Sequence, residues 1–217
     1  MKKAICFFII GFVFLCIATP VFSQQTEAEK DYKFTIKTNP LSALGGPFWV
    51  TIIPVTGEYK VLFEAAVTKK SSIQVGAGIL GPSILINLDE LTKSGDTISG
   101  LKTSGFRIQG MYKYFISRDL SAPAGFYIGP HISYASAKIK SKDKPADNIA
   151  ATKLNINAVI GYQMITSGGF TMDIYTGMGY LSREFTVSGT NTSFDMGSFK
   201  TKKRVSIPFG FSFGYAF

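Results

Sequence analysis

Large apolar residues recur at every second position in eight stretches of this chain. The last is the plainest. In Arg204–Phe217, seven apolar residues from Val205 to Phe217 alternate with Ser206, Pro208, Gly210, Ser212, Gly214 and Ala216. A period of two marks an extended strand whose two faces meet different surroundings. The first stretch is Lys33–Thr38, and a continuation to Leu44 has to pass Pro40. The second, about Val55–Val67, sets Tyr59, Val61, Phe63 and Val67 against Glu58, Lys60, Leu62 and Glu64. The third, Ile73–Leu80, opposes Ile73, Val75, Ala77 and Ile79 to Gln74, Gly76 and Gly78.

Four more follow the same rule. Lys102–Phe115 opposes Phe106, Ile108, Tyr112 and Tyr114 to Arg107, Gln109, Met111 and Lys113. Phe126–Tyr134 opposes Phe126, Ile128, Ile132 and Tyr134 to Tyr127, Gly129, His131 and Ser133. Leu154–Met164 opposes Leu154, Ile156, Ile160 and Tyr162 to Asn155, Asn157, Gly161 and Gln163. Phe170–Tyr180 opposes Phe170, Met172, Ile174, Met178 and Tyr180 to Thr171, Asp173, Gly177 and Gly179.

The connections alternate in length. Thr68–Ser72 and Thr166–Gly169 are short, and Ser117–Gly125 is moderate. Asn87–Gly100, Lys138–Lys153 and Arg183–Lys203 are long and polar, and Asn87 could open a brief helix in the first of them. The connection around Gly45–Pro54 is unusually apolar, with Phe48, Trp49, Ile52 and Ile53, as suits a membrane interface. Short turns at one end and long loops at the other are the habit of membrane barrels. An even strand number lets the last strand pair with the first, which removes the unpaired edges that lipid does not tolerate.

Alternation alone does not say which face is outside. A soluble lipocalin-like carrier would have the apolar face inward and a charged surface. Here the second face is mostly Gly, Ser, Ala, Asn and Gln, which suit the crowded interior of eight strands. The expected fold class is therefore all-β: an eight-stranded antiparallel up-and-down transmembrane β-barrel over 33–217. The inward charges Glu58, Lys60, Glu64, Arg107, Lys113 and Asp173, with Arg204 as a further candidate, should then pair as a network that fills the lumen.

Composition adds location and exclusions. Met1-Lys2-Lys3, an apolar run from Ala4 to Ala18, and small residues up to Ser23 read as a cleaved signal peptide over 1–23, followed by a short segment 24–32. Leu15 before Cys16 disfavours a lipoprotein signal. Both cysteines, Cys6 and Cys16, fall in this leader, so the mature chain is expected to use no disulfide. With His131 as the single histidine, no metal or cofactor site is expected. Losing Lys2 and Lys3 lowers the formal charge from +9 to +7. The cluster Lys200, Lys202, Lys203 and Arg204 suits a solvated loop end or anionic headgroups, and nucleic acid is not an expected partner.

The leader ending "VFSQ", the eight amphipathic strands and the terminal "FGFSFGYAF" resemble small outer-membrane barrels of the OmpA/OmpX type from Gram-negative bacteria. "KTNPLSALGG" and "APAGFYIGP" are similar to short motifs of uncharacterised barrels of this size. The resemblance implies residence in the outer membrane among lipid and lipopolysaccharide. It also implies that Phe213, Tyr215 and Phe217 form a C-terminal signal for the barrel-assembly machinery. It implies no activity. The expectation is a non-enzymatic structural or interaction protein acting through its outer loops, in adhesion or within a larger envelope complex. The sequence also offers one enzymatic alternative. His131-Ile132-Ser133 resembles the His-x-Ser pair of lipid A deacylases, in which His activates Ser. Tyr134 stands where that family has Asn, and Pro145, flanked by Asp143 and Asp147, stands near the expected acid.

Overall fold

The structure, a computed structural model, describes residues 32–44, 56–82, 101–141, 148–188 and 204–217. The expected signal peptide, the apolar connection at 45–55, the 83–100 connection and Lys200, Lys202 and Lys203 lie outside the described residues.

The strands are β1 (Phe34–Thr38), β2 (Thr56–Thr68), β3 (Ser71–Pro82), β4 (Leu101–Phe115), β5 (Gly125–Ser141), β6 (Asn148–Ile165) and β7 (Phe170–Ser188). Two segments, β8 (Arg204–Ser206) and β9 (Phe209–Ala216), make the eighth stave. Both pair with β7 in one unbroken register, Tyr180 facing Val205 and Phe170 facing Tyr215. The gap between them is Ile207-Pro208, where the proline nitrogen has no hydrogen to give the ladder.

Each stave pairs antiparallel with its neighbours, and the ring closes between β1 and β9, Thr35 facing Ala216 and Thr38 facing Phe213. The protein is a closed eight-stranded antiparallel up-and-down barrel. The seam extends to the last residue, whose N–H donates to the Phe34 carbonyl at 2.9 Å, while the Phe34 N–H donates back to the Phe217 carbonyl at 2.9 Å. The stagger comes from successive partners. From Thr35 they run through Glu64, Gln74, Met111, His131, Asn157, Gly179 and Ser206. Extending the β9–β1 register then returns to the first stave roughly ten residues further along. Such a shear tilts the staves of a small barrel by roughly 35–45°.

Two expectations need correction. Pro40–Leu44 is a 3-10 turn, not a continuation of the first strand. Asn39 starts it, its Oδ1 accepting from the Ser42 N–H at 3.2 Å, and Ser42 Oγ donates to the Glu58 carbonyl at 2.7 Å. Pro40 supplies the fixed φ of a first turn and no ladder donor. The expected loops Lys138–Lys153 and Arg183–Lys203 are also partly strand. Lys138 pairs with Ala150, Lys140 with Asn148, and Thr152 with Glu184. The ladder needs only backbone groups, so it continues where the outward residues turn polar and the alternation fades.

The burial pattern fixes the faces. Outward positions along the middle of the staves are mostly large and apolar, and those that are exposed range from 38 % at Tyr134 to 74 % at Val205. Inward positions hold most of the buried polar residues, including Lys37, Glu58, Glu64, Gln74, Lys113, Gln163 and Asp173. Inward glycines make room for large neighbours: a Cβ on Gly161 would fall 2.5 Å from the ring of Tyr127. The short-turn end is covered by the β4–β5 connection, which leaves Phe115 and Ala122 buried. The Ala122 N–H donates to the Lys69 carbonyl at 2.9 Å, and Lys70 Nζ donates to the Ser117 carbonyl.

Candidate functional site: the charged interior

The lumen charges fall into two tiers. The lower, near the short turns, is built by seven consecutive staves. Lys37 (β1) and Lys113 (β4) share the same three acceptors: Glu64 Oε2 (β2), Gln163 Oε1 (β6) and Asp173 Oδ2 (β7). The Lys37 distances are 2.6, 2.7 and 2.8 Å, and those of Lys113 are 3.1, 2.6 and 2.7 Å. An ammonium has three donors, so both are saturated. Ser72 Oγ (β3) donates to Glu64 Oε1 at 2.5 Å, and Tyr127 Oη (β5) donates to Asp173 Oδ1 at 2.7 Å. The Lys113 ammonium also stands 4.5 Å from the centre of the Tyr127 ring. Two cations meet two anions with no exposure of any of the four side chains. Met111, Phe115, Ala122, Tyr127 and Val159 pack beside this tier, so the short-turn end is plugged by both salt bridges and apolar contact.

The upper tier is built differently. In register, Lys60 faces Gly78, Gly78 faces Arg107, Arg107 faces Ala135, Ala135 faces Lys153, and Lys153 faces Arg183. Gly78 and Ala135 are small, so the long cations of four staves share one level of the interior. Among the described residues, Glu58 meets two of them, 3.2 Å from Lys60 Nζ through Oε1 and 3.3 Å from Arg107 Nε through Oε2. The Glu58–Arg107 contact is an ion pair without hydrogen-bond alignment, and Arg107 Nε and Nη2 are buried with no hydrogen-bond partner. Lys153 lies within electrostatic reach of Arg107, Arg183 and Glu58, and no carboxylate of the described residues is within 4 Å of its ammonium. Lys60 and Arg107 keep 10 % side-chain exposure, which the lower tier lacks. Leu80, Ala135, Ala137, Ala151 and Phe185 line the wall next to this tier.

No protein-family model, curated protein or solved structure matches the chain.

All six charges expected in the lumen point inward, but they divide between tiers: Glu64, Lys113 and Asp173 below, Glu58, Lys60 and Arg107 above. Arg204 pairs with Leu181 where the eighth stave begins. Three charged members fall outside the expected set: Lys37, Lys153 and Arg183. Lys37 was legible, because Phe34 and Ile36 alternate with Thr35 and Lys37. Lys153 is one more step of the Asn155, Asn157 alternation and Arg183 continues that of Gly177 and Gly179, but both stand at the ends of long polar connections whose composition hides the strand. Of the expected terminal signal, Tyr215 and Phe217 are outward and more than half exposed, and Phe217 packs on Phe34 with ring centres 5.9 Å apart. Phe213 faces Thr38 across the seam.

The His131–Ser133 pair does share the inward face, yet each side chain engages β6 instead of the other. His131 Nδ1 lies 3.3 Å from Asn157 Nδ2, and Ser133 Oγ accepts from Asn155 Nδ2 at 3.1 Å. The imidazole packs against Tyr175, ring centres 5.8 Å apart, and among the described residues no carboxylate touches it. Asp143, Pro145 and Asp147 lie outside the described residues. Nor is the interior an apolar ligand chamber of the lipocalin kind, since charged and amide side chains occupy it.

Proposed function

We propose that this protein is an integral outer-membrane β-barrel of the OmpA/OmpX type, exported by a cleaved signal peptide. It is non-enzymatic and acts as a structural or interaction protein through the long connections at one end. The observation that carries this reading is the inverted polarity of the barrel. Ion pairs with zero side-chain exposure lie inside, while Ile, Val, Phe and Tyr cover the outside. A soluble protein rarely exposes an apolar patch beyond a few hundred Å², whereas a band of such residues flanked by aromatics is what hydrocarbon and its interfaces select. Tyr112, Tyr114, Phe126 and Phe170 cluster toward the short-turn end, and Phe106, Tyr134 and Tyr180 toward the other. Those are suitable places for two aromatic girdles. The exposed final aromatic, Phe217, suits recognition by assembly machinery before the seam forms.

The plugged lower tier argues for a role on the surface instead of conduction, because eight staves leave space only for side chains. The expected results are recovery in the outer-membrane fraction and faster gel mobility when the sample is left unheated. Recovery in the soluble periplasm with heat-independent mobility would contradict the reading. Cross-linking from the long connections in intact cells then addresses the envelope partner.

A further inference from the structure

The outer face changes character in a fixed order along β4 and β5. Toward the long connections, β4 presents Ile108, Phe106, Ser104 and Lys102, and β5 presents Ile132, Tyr134, Ser136, Lys138 and Lys140. The two series lie side by side: Ile108 faces Tyr134, Phe106 faces Ser136, Ser104 faces Lys138 and Lys102 faces Lys140. The Phe106 and Tyr134 rings, with centres 6.1 Å apart, belong to the upper aromatic girdle. Lys102 and Lys140 are exposed and directly opposite, a like-charged pair that disfavours the ladder. Lys138 adds a third cation nearer the girdle, and its neighbours Ser104 and Ala150 are too short to cover it. Among the described residues none of the three lysines forms an ion pair. The outward carboxylate Glu184, which faces Thr152 on β6, stands two staves from β5, roughly 10 Å away.

Depth along the wall says what these cations meet. Lys138 is level with Ser104, just beyond Phe106, and the Lys102–Lys140 pair is one outward step further. At about 3.4 Å per residue on staves tilted by roughly 35–45°, the lysines stand roughly 5–10 Å past the aromatics. The polar zone of one leaflet is about 5–8 Å deep, so the three ammonium groups lie where lipid headgroups lie. We propose that Lys102, Lys138 and Lys140 form a docking site, on the outside of the barrel, for the phosphate monoester of a membrane glycolipid. Charge complementarity selects this lipid: a phosphate monoester carries about −1.5 to −2 near neutral pH, whereas the diester of a phospholipid carries a single negative charge. The acyl chains lie along Ile108 and Ile132, the sugar lies beside Ser104 and Ser136, and the phosphate lies among the lysines and relieves their mutual repulsion. The inference rests on the membrane reading proposed above and adds to it a particular lipid and its place on the wall.

The test uses the full mature chain, folded in a non-ionic detergent and titrated with bis-phosphorylated lipid A, the same lipid stripped of its phosphates, or phosphatidylglycerol. Native mass spectrometry reads the affinity for the first lipid bound. The wild type is expected to bind the phosphorylated glycolipid about tenfold or more tightly than either other probe. Lys102→Gln and Lys140→Gln should each weaken that binding about fivefold, the effect of one cation beside an anionic surface. Lys140→Arg should preserve it, and so should Lys69→Gln, which removes an exposed cation at the short-turn end. Without glycolipid, Lys140→Gln should unfold at the same urea concentration as wild type or a higher one, because a like-charged pair is gone. That sign separates lost binding from lost folding. Equal affinity of the wild type for all three probes, or equal losses in Lys69→Gln and Lys140→Gln, would overturn the proposal. Failure of the wild type to insert into phosphatidylcholine vesicles would overturn the membrane reading as well, whereas insertion without preference for the phosphorylated glycolipid overturns the docking site alone.

Discussion

Replacing Asp173 with Asn should destabilise the barrel by about 3–5 kcal/mol, the usual loss when one partner of a buried charge network is removed. Asp173 Oδ2 accepts from both Lys37 and Lys113, and Oδ1 accepts from Tyr127. Without its charge, two ammonium groups share Glu64 alone, in a place with no water to screen them. The companion change Lys37→Met should recover at least half the loss, because Lys113 and Glu64 then balance at 3.1 Å. Urea unfolding of the folded barrel measures both. If D173N unfolds within 0.5 kcal/mol of wild type, near the ordinary scatter of surface substitutions, the plug does not hold the barrel together.

Ile132→Arg should cost about 2–4 kcal/mol in lipid, the range for a cation at the midplane of a barrel's outer face. Ile132 is 51 % exposed and faces away from the lumen in the middle of β5, between Gly110 and Ile156. The sign makes this substitution informative. On a water-exposed surface the same change would be nearly neutral. Folding into vesicles of the wild type and I132R, compared by urea titration, distinguishes the two outcomes.

Most of the architecture was legible because two environments wrote two alternating sets of side chains. Seven apolar positions in Val205–Phe217 suffice to read the seam, and Ala216 does meet Thr35. What escaped depends on features that do not alternate. Pro40–Leu44 is set by the Asn39 and Ser42 hydrogen bonds, which no periodicity reports. The extensions of β5, β6 and β7 are ladders of backbone groups carrying Lys138, Lys140, Thr152 and Glu184 outward, so they resemble loop in composition.

The charged interior was legible as a set and not as two assemblies. Which carboxylate meets which cation depends on the stagger between staves. Glu58 and Glu64 lie six residues apart on one strand, yet they serve different tiers. Lys37 became central only because closure brings β1 beside β9 and across from Lys113. The pairing of His131 with Asn157, and of Ser133 with Asn155, follows from the β5–β6 register in the same way.

The central claim is that the apolar outer face is solvated by acyl chains. It is tested most directly by single cysteines at Val75, Ile132 and Ile160, introduced into a mature chain expected to have none, and carrying a fluorophore in lipid vesicles. All three positions are outward and about half exposed. Strong quenching by lipids brominated along the chain, with little quenching by aqueous iodide, is the result this account predicts. Quenching by iodide with none from brominated lipid would contradict it.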